Sequence, residues 1–447
     1  MSEKTPYTRR QFLERGVLLA SAGATLPTFL VNTGSALAGQ QRADVSSLAG
    51  VPEDRVLVVV QLSGGNDGLN TVIPYGMPVY HRERGRLRVT EGVLPLNEDV
   101  GIGLHPALRP LHELVGEKKA AIVQGVGYPN PTRSHFASMD VWHAGDTDAQ
   151  GSRGVDRGWI GKALDHDLTQ RQAQAKRAGK PFEDPYAGLA SVAVGSVAPS
   201  ALRSEQARPV TFERPELFRW LAEGRHPAID RAYDTIHHRE AVTQPAASPP
   251  HDNAADFVYR TALDARAASD RVRKALEKDP KTSFPRGKLA DQLRTVAAMI
   301  RAELPTRVYY VALGGFDTHA GQPWRHQNLL GELAKSLAGF QKELDATGHA
   351  DRVVTLTFSE FGRRVRENAS QGTDHGAAGP VFLTGAPVRP GLLGDHPSLI
   401  DLDRGDLKHT VDFRSVYAGV LEDWLGLDSR AALGGRYPKP KLLKHSA

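Results

Sequence analysis

In the stretch GGFDTHAGQ, Gly314 to Gln322, an aspartate and a histidine stand two residues apart between glycines, directly after a strand-like run. Asp317 and His319 at this spacing suit a metal ion or a pair of catalytic groups, and a solvated surface pair would look the same. Four further segments carry the same residue types: Asn66 and Asp67 in SGGNDGLN, Arg133, Ser134 and His135 in PTRSH, Glu360 in FSEFG, and Asp374 and His375 in GTDHG. Oxygen and imidazole donors without thiolate fit Zn²⁺, Mn²⁺ or a similar divalent ion, and one or two such ions can assist attack on an ester. Ser134 precedes the helix-like run HFASMDVWHA. That position makes it a cap or, with free N–H groups and a cation nearby to lower its hydroxyl pKa, a nucleophile. Arg133 suits a phosphate or sulfate oxygen, and equally an ordinary surface.

These groups come from distant segments, so the fold must assemble them. Arg55 to Leu62, Ala120 to Gly127, Arg307 to Gly315, Arg352 to Glu360 and Gly379 to Gly385 read as strands. The clearest of them, RVLVVVQL, is nearly all apolar, as burial on both faces requires. Leu289, Leu293, Val296, Ile300 and Leu304 recur at helical spacing, as do Leu330, Leu333, Leu337, Phe340 and Leu344. Both segments are predicted to be one-faced helices. Strand, helix, strand from Arg307 to Glu360 is a βαβ unit with parallel strands. The expected architecture is a three-layer α/β sandwich around a mostly parallel sheet. In such sheets ligands sit beyond the carboxyl ends of the strands, where Asp67, Ser134, Asp317, His319 and Glu360 all fall; Asp374 and His375 stand just before the last strand. A charged, mainly helical insertion is expected at about 164–281, either capping one sheet edge or forming a loose surface excursion. Arg325 and His326 open the Leu330 helix, where a salt bridge or a substrate contact would fit.

Composition narrows the class. Apolar residues make up 40% and charged residues 24%, which is globular. Lys and Arg number 56 against 51 acidic residues with no basic block, so nucleic-acid binding has no support. There is no cysteine, hence no disulfide, thiolate ligand or cysteine nucleophile. The N-terminus reads as an address: Arg9 and Arg10 in TRRQFLERG, the 15-residue apolar run VLLASAGATLPTFLV, then Ala36-Leu37-Ala38. The run is shorter than the ~20 residues a membrane span needs, so no stable anchor is expected. Residues 1–38 are therefore predicted to be a twin-arginine signal, and 39–447 the exported domain, periplasmic or extracellular and delivered folded by the twin-arginine machinery.

The motifs RRQFL, LSGGNDGLN, SHFASMDVWHAG, GWIGKALD, GFDTHAGQ, FSEFGRR, GTDHGAAGP and DFRSVYAGVLEDWLG together resemble a bacterial family of unknown function with a twin-arginine signal. Its core is similar to the alkaline phosphatase/sulfatase/phosphoglycerate mutase superfamily. The resemblance implies one ion on Asp317, His319 and His375, and a second on Asp67 and Glu360 with Ser134 as nucleophile. Asn66, Arg133, His135 and Asp374 would contact substrate or orient ligands. Three departures stand out: the usual Asp-His pair after a strand is Glu360-Phe361, Asp317 and His319 lie closer together than is common, and Thr132 rivals Ser134. The sulfatase pattern C/S-x-P-x-R is also missing from PNPTRSH. The expected function is exported metal-dependent hydrolysis of phosphate, sulfate or related esters by attack of serine or hydroxide. The alternative is a non-catalytic scaffold or carrier that keeps the fold.

Overall fold

The computed structural model describes residues 54–149, 154–213 and 271–444. The expected signal, 1–38, lies outside them. Nine strands form one sheet: β1 (Val56–Ser63), β2 (Ala120–Gly127), β3 (Ser191–Val194), β4 (Val210–Phe212), β5 (Val308–Gly314), β6 (Val353–Ser359), β7 (Gly379–Thr384), β8 (Gly391–Leu393) and β9 (Val411–Asp412). The spatial order is β8-β2-β7-β6-β1-β5-β3-β4, with β9 also pairing β2. Every pairing is parallel except the two made by β7, which runs antiparallel to β2 and β6.

The reversed strand decides the geometry of the rim. The N-terminal end of β7 lies at the same edge as the C-terminal ends of its neighbours, so Asp374 and His375, which precede it, meet residues that follow β1, β5 and β6. The central strand β1 is flanked on both sides by the two strands of the expected βαβ unit, β5 and β6.

β1 also shows why the chain must be three-layered. Val56, Val58, Val60 and Leu62 enter one core and Leu57 and Val59 the other, since side chains alternate along a strand. The first core is closed by α3 (Lys288–Arg301) and α4 (Gln322–Thr347), whose predicted apolar stripes are buried. The second is closed by α1 (His135–Ala144), α2 (Trp159–Arg177) and a helix from Phe413 that continues as a π-helical turn to Leu425. In that last segment Val416, Val420 and Leu421 are buried, as their spacing implies, and Trp424 donates its indole N–H to the Val56 carbonyl at 2.9 Å.

The region of the expected insertion contributes to the sheet itself. The first half of α2 is buried in the second core, and β3 and β4 extend the sheet edge in parallel. Residues 214–270 of that region lie outside the described residues. No described helix is long and apolar enough to cross a membrane.

Candidate metal centre

The rim loops pack so closely that glycine is required. Gly64, at φ +120°, turns the chain out of β1, and a Cβ there would stand 2.4 Å from the Asp317 backbone nitrogen. The loop after β1 and the loop after β5 are thus in backbone contact, which accounts for Gly64 in the SGGNDG motif. Arg363 fastens the same loops from below. It is fully buried; its Nε–H donates to the Gly65 carbonyl at 2.7 Å and its Nη1–H to the Thr373 carbonyl at 2.8 Å. Nη2 reaches the Gly64 and Phe316 carbonyls and, at 2.7 Å, Asp317 Oδ1. One guanidinium therefore ties together the loops after β1, β5 and β6 and the segment before β7. Sequence reasoning missed it, although the arginine stands in FSEFGRR.

Three imidazoles converge on Asp317. From Asp317 Oδ1, the Nε2 atoms of His319, His375 and His135 lie at 3.0, 3.2 and 3.6 Å. His319 Nε2 and His375 Nε2 are 2.8 Å apart. One donor atom each from His135, Asp317 and His375 lies within 4.8 Å of the others. Donors sharing one tetrahedral ion at about 2.0–2.2 Å stand roughly 3.4 Å apart, so this spacing fits a single ion.

The outward nitrogens set the tautomers. His375 Nδ1 lies 2.7 Å from the Arg133 carbonyl, which can only accept, so Nδ1 carries the proton. His135 Nδ1 lies 2.8 Å from Glu360 Oε1 and donates to that carboxylate in the same way. His319 Nδ1 faces Asp374 Oδ1 at 3.4 Å. A neutral His135 or His375 then presents a bare Nε2 lone pair to the centre, and His375 has no proton left to share with His319. This is how metal-binding imidazoles are oriented by outer acceptors.

The electrostatics agree. Three carboxylates, Asp317, Glu360 and Asp374, surround the imidazoles, while Arg363 pairs with Asp317 and Arg364 stands near Asp374, so negative charge is in excess at a place that suits a divalent cation. Partial burial would raise the Asp317 carboxyl, but Arg363 outweighs it and holds it at about 2. The hydrogen bond from Asn368, joined by His319, keeps Asp374 below the usual range. Glu360 raises His135, whereas burial lowers His375. Phe361, itself buried, packs its ring against both His135 and His375, with centroids 4.9 and 4.8 Å away. It forms an apolar wall on one side of the two rings.

The structure distributes the expected residues as follows. Asp317, His319 and His375 meet, and His135 joins them as a direct donor, beyond its expected supporting place. Its sequence signal was its position at the first turn of α1, immediately after Ser134. Glu360 is buried beneath His135 and is engaged by the Gly64 N–H at 2.8 Å, by His135 and by the Ser359 hydroxyl at 3.1 Å; it fixes the turn of the His135 ring. Asp374 lies behind His319. Ser134 is exposed at the start of α1 and makes no capping hydrogen bond. Thr132 Oγ1 accepts the Ser134 N–H at 3.2 Å. Arg133 turns its guanidinium to Asp406, at 2.9 and 2.7 Å.

Asp67 does not share an ion with Glu360. It is fully buried, and the equally buried Arg84 grips both its oxygens at 2.5 and 2.9 Å, while Gln322 donates to Oδ2. Burial alone would raise the Asp67 carboxyl; Arg84 prevails and lowers it. The physical reason is plain: the guanidinium of Arg84, the C-cap residue of the helix Pro78–Glu83, supplies the positive charge that the expected second ion would have brought. Asn66 is buried alongside, and its Oδ1 accepts from Thr71 at 2.9 Å and from His326 Nε2–H at 3.1 Å. His326, expected in a salt bridge or a substrate contact, is instead buried in this network, and burial pushes it down to about 4.

A mostly parallel three-layer α/β sheet with a histidine–aspartate cluster at its carboxyl rim defines the class of this protein. The chain belongs to the family described as "Protein of unknown function (DUF1501)", which matches residues 54–433. No curated protein matches it. Among solved structures it is similar to the lipoteichoic acid synthase LtaP from Listeria monocytogenes, at 8% identity and a TM-score of 0.30 over 78% of this chain and 72% of that one. It is similar to a 2-O GAG sulfatase at 8% identity, TM-score 0.32, over 86% and 76%. It is also similar to an alkaline phosphatase superfamily protein from Vibrio parahaemolyticus at 10% identity, TM-score 0.28, over 88% and 72%. Likenesses this distant concern the path of the chain and carry nothing about its chemistry.

Proposed function

We propose that the protein is an exported hydrolase of phosphate, sulfate or related esters that works with one divalent ion. The observation that supports this reading is the convergence of three imidazole nitrogens on Asp317 Oδ1, with the outward nitrogens of His135 and His375 fixed by acceptors. Imidazole and carboxylate donors suit Zn²⁺ or Mn²⁺. When bound, the ion would polarise an ester oxygen and favour the ionised form of a hydroxyl nearby. His135, His319, His375 and Asp317 would hold it; Glu360, Asp374 and the Arg133 carbonyl would keep the rings turned inward; Phe361 would exclude water from one side. Ser134, one residue from His135 and free of a capping role, is the proposed nucleophile, with hydroxide as the other candidate. The sequestration of Asp67 by Arg84 favours one ion over two. Export in the folded state by the twin-arginine machinery, to the periplasm or beyond, rests on residues 8–38 alone.

The test is elemental analysis of the purified mature protein, coupled to turnover of a panel of phosphomonoesters, phosphodiesters and sulfate esters. The expected result is about one Zn²⁺ or Mn²⁺ per chain, lost in Asp317→Ala and His375→Ala, with hydrolysis of at least one ester lost in parallel. A wild-type protein that refuses both ions from dialysis buffer removes the basis of the reading.

A further inference from the structure

A second polar assembly adjoins the centre without belonging to it. The hairpin Leu402–Asp403/Asp406–Leu407 turns through Arg404 and Gly405, both at positive φ (53° and 88°). This tight turn holds Arg404 at its tip, with the side chain 88% exposed. Asp406, on the returning strand, is nearly buried and receives two guanidiniums: Arg133 at 2.7 Å on Oδ2 and Arg364 at 3.5 Å on Oδ1. Both arginines also point Nη2 at the Arg404 carbonyl, at 3.5 and 3.2 Å.

The two guanidiniums are thus set side by side by shared acceptors. Among the described residues, Nη1 of each has no partner. Asp403 lies 4.0 Å from Arg404 and Arg364 also stands near Asp374, so three guanidiniums are held close together among these carboxylates at a partly exposed place. Like charges held together repel, and the fold nevertheless fixes them by name. Their backbones are bonded to the metal-site loop: the Arg133 carbonyl accepts from His375 Nδ1, and the Arg364 N–H donates to the Asp374 carbonyl at 3.0 Å. The positive assembly therefore abuts the proposed reaction centre through two main-chain contacts.

We propose that Arg133 and Arg364, gathered on Asp406, together with Arg404 at the exposed tip of the adjoining turn, form an anion subsite beside the metal centre, so that the ester substrate carries a second anionic group. The chemistry is that of guanidinium forks, whose paired N–H donors match phosphate, sulfate and carboxylate oxygens. A second anion would take the free Nη1 donors, while the reacting ester lies toward Asp317 and the histidines. The inference rests on the hydrolase reading for the identity of the first group, and on the arginines alone for the second.

The experiment uses the full mature chain loaded with Zn²⁺ and measures binding of glucose 1,6-bisphosphate and glucose 6-phosphate by calorimetry. Wild type is expected to prefer the bisphosphate by about 10-fold, the scale of one charge-assisted contact. Arg404→Gln on the exposed turn, and separately Arg364→Gln, should bring that preference close to one, with zinc content and glucose 6-phosphate affinity unchanged. Equal binding of the two sugars by zinc-loaded wild type, absence of binding to both, or a preference that survives in both variants overturns the subsite. A wild type that holds no zinc yet shows an arginine-dependent preference overturns the hydrolase reading and leaves the subsite standing.

Discussion

Replacing Glu360 by glutamine separates a ligand from a residue that aims one. In the structure Glu360 Oε1 receives the Gly64 N–H and His135 Nδ1–H, each at 2.8 Å, and Oε2 faces the Ser359 hydroxyl at 3.1 Å. Glutamine keeps one carbonyl oxygen for the first two donors and offers an NH₂ to Ser359, so the packing survives while the negative charge goes. Two quantities change: the negative charge around the centre falls by one, and the His135 ring loses the carboxylate that strengthens its lone pair. Outer partners of this type are worth about 10–100-fold in metal affinity, or roughly 1.4–2.8 kcal/mol. The assay is competition for Zn²⁺ against a chromogenic chelator at pH 7.5, with a thermal melt of the metal-free protein as control. The expected outcome is a 10–100-fold weaker affinity and still about one ion per chain. Unchanged affinity would refute the account of how His135 is oriented. Complete loss of zinc with an unchanged metal-free melting temperature would show that Glu360 is itself a ligand, against the buried position argued for it.

Two further outcomes are expected. Arg84→Met leaves the buried Asp67 carboxylate with Gln322 as its remaining side-chain donor and should destabilise the protein by about 3–5 kcal/mol in urea titration; Arg84→Met combined with Asp67→Leu should recover much of this, and a single variant as stable as wild type would contradict the ion pair. Stability should also fall as pH drops from about 6.5 toward 4. His105, His143 and His326 are all buried, and burial pushes each down to about 4, so the unfolded chain takes up their protons first. Their stabilisation is complete above the unfolded value and is lost across that window, at up to about 1.4 kcal/mol per pH unit for each. His135, raised by Glu360, and the carboxyls of Asp140, Asp184 and Asp406, raised by burial, oppose this in part. Melting temperatures recorded from pH 7.5 to 4 check it, and a flat profile would contradict the neutral burial of these rings.

Much of this fold was legible because burial writes itself locally. VLVVVQLS can satisfy two apolar neighbours only as an inner strand, and the leucine stripes of α3 and α4 can cover only one face. Asp317, His319 and His375 were legible as donors because residue type and loop position are properties of short segments. The sequence alone also raised the export signal, which remains an expectation drawn from residues 8–38.

Tertiary structure alone decided which donors meet. The reversal of β7 brings His375 to the rim shared by β1, β5 and β6, and no local pattern declares a strand's direction. Arg84 and Arg363 are ordinary charged residues in the sequence; they become counter-charges only once the chain buries them beside Asp67 and Asp317. Glu360 and His135 are 225 positions apart. Whether a carboxylate binds a cation, aims an imidazole or neutralises a guanidinium depends on what stands within about 3 Å of it, and that distance is set by packing between segments, not by spacing within one.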